Sequence, residues 1–160
     1  MALDTYTFRI EDASRPGRTR LMISGVIDEH AELDPLSEVR GDVEISLKGV
    51  RRINSFGVRA WIDVIRRIPD ETHLTFIEVP PPVVDQINMV SGFLGHGKLI
   101  SFYSPMICEE CDEQEDELFT VDKCRELGGK LPPVKCKRCG NPMEVDDLEE
   151  QYLLFVRESA

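Results

Sequence analysis

Between residues 43 and 68 the apolar positions change their spacing, and this change constrains the fold more than any other feature of the chain. Val43, Ile45 and Leu47 alternate with Glu44, Ser46 and Lys48, the period-two pattern of a half-buried strand. Beyond Ile53 the period lengthens. Val58, Trp61, Ile62, Ile65 and Ile68 fall on one face of a helix, while Arg59, Asp63, Arg66 and Arg67 take the other. Asn54 and Ser55 stand at the junction, where a short polar side chain caps the first free N–H groups of a helix. A strand that feeds a helix through so short a turn brings the positive end of the helix dipole to the surface.

The flanking segments use the same two patterns. Residues 5–10 place Tyr6, Phe8 and Ile10 on one face, and residues 20–27 alternate more loosely through Leu21 and Ile23. Ser14-Arg15-Pro16-Gly17 between them predicts a hairpin turn. Residues 29–39 predict a helix, with Leu33, Leu36 and Val39 at three-residue steps and Pro35 near its start. Residues 73–79 read as a strand through Leu74, Phe76 and Ile77. Pro80-Pro81-Pro82 ends it and opens a helix whose buried face is Val83, Ile87, Val90 and Leu94. Residues 98–103 return as a strand. The order β-β-α-β-α-β-α-β is that of an α/β fold: a mixed sheet, largely parallel after the hairpin, with helices packed on it.

The turn Asn54-Ser55-Phe56-Gly57, followed by its apolar helix, resembles the Asp-Ser-Ser-Gly turn of the STAS domain, the fold of bacterial anti-sigma-factor antagonists. Residues 24–28 (S-G-V-I-D) resemble that family's Gly-x-hydrophobic-Asp strand end. Residues 83–98 resemble its last helix and glycine-containing turn, so the likeness spans residues 5–104. The resemblance implies the same architecture that the periodicities give. It also implies a non-catalytic regulatory protein that docks a partner, an anti-sigma-factor or kinase-like regulator, through the exposed turn and the start of the helix. Asn54, Ser55, Phe56, Gly57 and Arg59 are therefore expected at a partner-binding face. In the family the second serine of the turn is phosphorylated, which repels the partner by inserted charge. Here Phe56 occupies that position, and Asn54 replaces the acid. These departures leave open a constitutive binder, a switch moved to Ser55, or a scaffold within a larger assembly. Arg51, Arg52 and Arg59 around the turn suit an acidic partner or a nucleotide phosphate, and equally suit solvent.

The most specific chemical signal lies further on. Cys108-Glu109-Glu110-Cys111 is followed, after 24 residues, by Cys136-Lys137-Arg138-Cys139-Gly140. Each C-x-x-C puts two thiolates on one tight knuckle, and two knuckles complete a tetrahedral Zn²⁺ site. Gly140 suits the left-handed turn that a knuckle needs. The intervening stretch holds a strand at residues 118–121 and a Gly128-Gly129 turn, enough for a hairpin arm, and residues 152–156 read as a further strand. The pattern is that of a zinc ribbon with a structural ion, since four thiolates leave no open position for a reactive water. A redox pair would not need two matched motifs, and iron–sulfur spacings differ. The composition shift at Ser104-Pro105 divides the chain into a STAS-like domain (1–104) and a four-cysteine zinc-ribbon module (105–160). The module has so few large apolar residues that metal binding would supply much of its folding energy. Cys124 is left over, and reads as a small buried hydrophobe.

Charge narrows the partners. The chain carries a net −11, with 15 acids against 12 bases in residues 1–104 and 15 against 7 in residues 105–160. So acidic a module repels nucleic-acid phosphates and anionic lipid, and a protein partner is expected. A nucleic-acid-binding or transcription-related ribbon protein is the alternative, resting on the small basic cluster Lys135, Lys137 and Arg138. No apolar run approaches the ~18 residues of a membrane span, and the N-terminus lacks a secretory pattern, so a cytoplasmic protein is expected. Residues 92–98 nearly spell a phosphate-binding G-x-x-x-x-G-K, but Leu99 replaces the Ser/Thr and the helix precedes rather than follows. His30, His73 and His96 are scattered, and no nucleophile–base pair is legible, so no enzyme is expected.

Overall fold

A computed structural model describes residues 6–158. The hairpin of β1 (Arg9–Asp12) and β2 (Thr19–Ile27) opens a sheet that continues through β3 (Asp42–Ile53), β4 (His73–Ile77) and β5 (Lys98–Leu99), in that spatial order. β1 is antiparallel to β2, and the later neighbours are all parallel. The fold is thus α/β, with the mixed and largely parallel sheet that the periodicities predict. The first expected strand begins only at Arg9, and its Thr5 lies outside the described residues.

Helix α1 (Ser55–Arg66) covers this sheet with Trp61, Val64 and Ile65, all but removed from solvent. Trp61 stacks on Phe93 at 5.7 Å, lies 6.0 Å from Phe76, and donates its indole N–H to the Phe93 carbonyl at 2.8 Å. Burying the aromatic body while pairing its one polar atom avoids the cost of an orphaned donor. The buried face is rotated from the expected one. Gly57 and Val64 are buried, whereas Val58 and Ile62 are only half-buried. The cause is close approach: a Cβ on Gly57 would lie 2.0 Å from the Ile27 carbonyl oxygen, so the helix leans on β2 through its glycine.

Elsewhere the elements shift for local reasons. The helix expected over residues 29–39 is a 3₁₀ segment, Asp34–Glu38. Leu33 and Leu36, the buried pair, repeat every three residues, which is the 3₁₀ period and not the α period. Helix α2 (Pro81–Met89) starts at the prolines and ends before Leu94. The strand expected over residues 98–103 breaks at Ile100. There β5 ends the first sheet, and β6 (Ser101–Ile107) begins a second, antiparallel sheet in the order β7-β6-β8, with β7 (Gln114–Thr120) and β8 (Glu144–Val145). The short strand at residues 118–121 is the end of β7, and Val121 starts helix α3 (Val121–Glu126). Residues 152–156 are not a strand. They belong to two helical turns, α4 (Glu149–Tyr152) and α5 (Leu154–Glu158). Tyr152, Leu153, Phe155 and Val156 are all buried, and so short an apolar run fits either period.

The compositional boundary at Ser104-Pro105 falls inside β6. Phe102, fully buried, meets Phe155 edge-on at 4.9 Å and Phe119 at 6.0 Å, while Val79, two residues past the end of β4, bridges it. Asn88 of α2 donates to the Tyr152 carbonyl at 2.9 Å and accepts from the Phe155 N–H at 3.0 Å. The two sheets therefore share one continuous apolar core.

Candidate metal centre and exposed turn

The two cysteine knuckles are built alike. In the first, the Asp112 N–H donates to the Cys108 carbonyl at 2.8 Å, and the Cys108 N–H to the Glu113 carbonyl at 2.9 Å. In the second, the Gly140 N–H donates to the Cys136 carbonyl at 2.9 Å, and the Cys136 N–H to the Asn141 carbonyl at 2.8 Å. The residue after each second cysteine is left-handed, Asp112 at φ 59° and Gly140 at φ 77°. Aspartate is among the few side chains that accept this conformation, so Asp112 is the counterpart of Gly140 that the glycine pattern alone does not reveal.

The first knuckle caps the β6–β7 hairpin, and the second is closed by the Lys135–Pro142 bridge just before β8. Together they bring the sulfurs of Cys108, Cys111, Cys136 and Cys139 within 4.8 Å of one another. The closest pairs join opposite knuckles: Cys108–Cys139 at 3.4 Å and Cys111–Cys136 at 3.5 Å. A disulfide needs ~2.05 Å, and all five cysteines are free. An ion with metal–sulfur bonds of ~2.3 Å spaces tetrahedral sulfurs by about 3.8 Å. The four residues thus fit a tetrahedral metal ion such as zinc.

Protons are held unevenly in this cluster. Cys139 is pulled down to about 6, first by the Asn141 backbone N–H, then by the Asn141 side-chain amide and by Cys108. Cys111 is pushed up to about 12: the Glu113 backbone N–H favours its thiolate, but burial and hydrogen bonds with Cys136, Cys108 and Cys139 outweigh that. A metal ion entering the site would displace the remaining thiol protons. Arg138 reaches Glu113 at 3.5 Å and Lys137 reaches Glu115 at 3.9 Å, so the bases of one knuckle pair with acids beside the other. Cys124 stands apart on α3, fully buried, its thiol pushed up to about 11 by burial and then by Glu149. Gly128 and Gly129 do not turn a hairpin. They close α3, with the Gly129 N–H on the Cys124 carbonyl at 2.8 Å.

At the start of α1, Asn54 caps the helix, its Oδ1 accepting from the Gly57 N–H at 2.8 Å. Its Nδ2 donates to Glu29 at 3.0 Å, a hydrogen bond that holds the Glu29 carboxyl below its usual range. An aspartate here would set two carboxylates against each other, which gives a physical reason for the amide. Ser55 and Arg59 are exposed, Phe56 is 61% exposed, and Gly57 is buried. The structure therefore brings four of the five turn residues to the surface and uses the fifth for packing. Arg51 and Arg52 are also exposed, and the Arg52 guanidinium sits 5.4 Å over the Tyr6 ring. The glycine-rich residues 92–97 lie between α2 and β5, which Lys98 begins, with Phe93 under Trp61 and His96 hydrogen-bonded to the Thr72 carbonyl at 2.9 Å.

A comparison with models of known protein families finds no match to the chain, and neither does a comparison with curated proteins. No helix among the described residues is long and apolar enough to cross a membrane.

Proposed function

We propose that this chain is a non-catalytic bacterial regulatory or scaffold protein of the STAS-like kind, acting in the cytoplasm, with a structural Zn²⁺ in a ribbon-like module. Phe56 carries the reading. A large aromatic side chain stands in solvent at the capped start of α1, beside a glycine packed tightly enough to fix its position. Aromatic anchors of this kind dominate protein–protein interfaces. Asn54, Ser55, Phe56 and Arg59 form the docking face, with Gly57 beneath it. The phospho-switch of the resembled family cannot act at Phe56, which has no hydroxyl. Zinc saturated by Cys108, Cys111, Cys136 and Cys139 holds the module's shape and extends the surface. The nucleic-acid alternative loses ground, because Lys137 and Arg138 of the only basic cluster in the module face Glu115 and Glu113.

Two measurements test the two halves of this reading. A photo-crosslinker at position 56, in native cytoplasm, should trap one discrete protein that the same group at Asp63 does not; identical products from both positions would refute the docking face. Purified chain should hold one zinc, and the variant with serine at all four cysteines none. Stoichiometric zinc in that variant would refute the site.

A further inference from the structure

Beside the second knuckle lies an open groove of ≈330 Å³. Its floor is apolar: Met106 and Met143 are buried, and Leu131, Val134 and Val145 complete it. Its rim is acidic, formed by Glu144, Asp147 and Glu149, and among the described residues no lysine or arginine lines it. One wall is the strap of residues 131–134. Pro132 and Pro133 lack the N–H groups needed to join a sheet, and the strap is hydrogen-bonded at its two ends. The Leu131 N–H donates to Glu149 Oε1 at 3.3 Å, and the Met143 N–H to the Val134 carbonyl at 2.8 Å. The other wall is β8, paired to β6 through Met106–Val145 and Ile107–Glu144. Both walls run directly into the turn that carries Cys136 and Cys139, one entering it and one leaving it.

We propose that this groove binds a short peptide segment of a protein partner in which an aliphatic side chain is flanked by lysine or arginine, and that metal at the four cysteines holds its two walls together. An aliphatic side chain packs on the half-buried Leu131, Val134 and Val145, with Met106 and Met143 beneath them. Flanking cations meet three carboxylates with no competing base, and the module's net charge speeds their encounter. Nucleic acid and anionic lipid are repelled by the same field. This groove is separate from Phe56; the inference rests on the metal reading of the cysteines and not on the α1 docking face.

The test uses the full zinc-loaded chain and three synthetic heptapeptides: a central leucine between pairs of lysines, the same with central glycine, and leucine between pairs of glutamates. Calorimetry should show the leucine–lysine peptide binding one per chain, the glycine peptide at least tenfold more weakly, and the glutamate peptide not at all. Glu144→Lys with Asp147→Lys, both exposed positions, should weaken binding at least fivefold, and chelation should abolish it. Equal binding of leucine and glycine peptides would reduce the effect to general charge and overturn the proposal, as would binding that survives chelation or the double variant. A chain that forms a dimer dissolved by the double variant would make a second copy the occupant, and overturn it too. Metal content of the same sample separates the causes of failure: zinc present with no peptide bound overturns the groove alone, whereas no zinc taken up overturns the metal centre and the proposal with it.

Discussion

At position 57 a methyl group would sit 2.0 Å from the Ile27 carbonyl oxygen, while at position 56 a benzyl group stands largely in solvent. Substitutions at these neighbours should therefore separate stability from binding. Gly57→Ala has no flexible atom to push aside, because its obstacle is the backbone of β2. It should destabilise the fold by about 1–3 kcal/mol, in the range of other overpacked sites, and a lowered urea midpoint would show it; an unchanged midpoint would mean that α1 can lift from β2 freely. Phe56→Asp should leave stability within about 0.5 kcal/mol of the parent, as exposed substitutions do, and an acid in the first helical turn is electrostatically favoured. Affinity for the crosslinked partner should still fall several-fold or more. Ser55→Asp is the informative companion, since weakened binding there supports a phospho-switch displaced by one residue. If Phe56→Asp binds as well as the parent, the interaction lies elsewhere, and the four-cysteine module is the next place to look.

Among the elements, those whose period was long and unbroken were legible in the sequence: β3 and α1 appear where the spacing put them, while β4 starts at His73 as expected but ends at Ile77, short of Val79. The rotation of α1 toward Gly57 was not legible, because a glycine carries no hydrophobic signal and its role is visible only once β2 lies beside it. The helical turns at residues 149–158 were hidden for another reason. Their apolar run is short, and its shape is set by α2 through Asn88, more than sixty residues away. The four-cysteine cluster was legible as two paired motifs, since C-x-x-C spacing fixes local geometry, but Asp112 and the Asn141 amide on Cys139 at 3.4 Å needed the fold. These distinctions decide what metal removal does. The knuckles at residues 108–113 and 134–145 are held by local backbone hydrogen bonds, two ion pairs and the two-residue β8 pairing, to which a bound metal would add the main cross-link, whereas β7 and α3–α5 are anchored on the shared core by Phe119, Val121, Tyr152 and Phe155. Hydrogen exchange after chelation should thus lose protection at the knuckles and β8 while β6, β7 and α3 keep theirs. Serine at any one of the four ligands should reproduce this pattern, and Cys124→Ser should not. Uniform loss across residues 105–158 would make the whole module metal-dependent, as its composition alone predicts.

For the molecule as a whole, the composition shift at residue 104 and the packing give different answers about independence. Composition divides the chain into an apolar, nearly neutral part and an acidic, cysteine-bearing part, and apolar faces that close on themselves would let the first stand alone. The core does not close there. β6 passes through the boundary, Phe102 is covered by Phe119 and Phe155, and Asn88 finds both its partners in the last helical turns. A fragment ending at residue 104 would uncover Phe102, forfeiting about 1.5–3 kcal/mol of burial for that side chain alone. It would also leave the half-buried Asn88 without either partner and lose half the chain's acids, and with them much of the charge that keeps it soluble. The fragment should accordingly melt several degrees below the zinc-loaded chain, bind a hydrophobic dye and aggregate at concentrations where the full chain stays dispersed. The chelated full chain is the discriminating control. It retains the covering phenylalanines without the metal, so it should melt closer to the zinc-loaded protein than to the fragment. A fragment that melts as high and as sharply as the full chain would show that the sheet and its helices are complete by residue 104, and that the shared core is an interface between two independent domains.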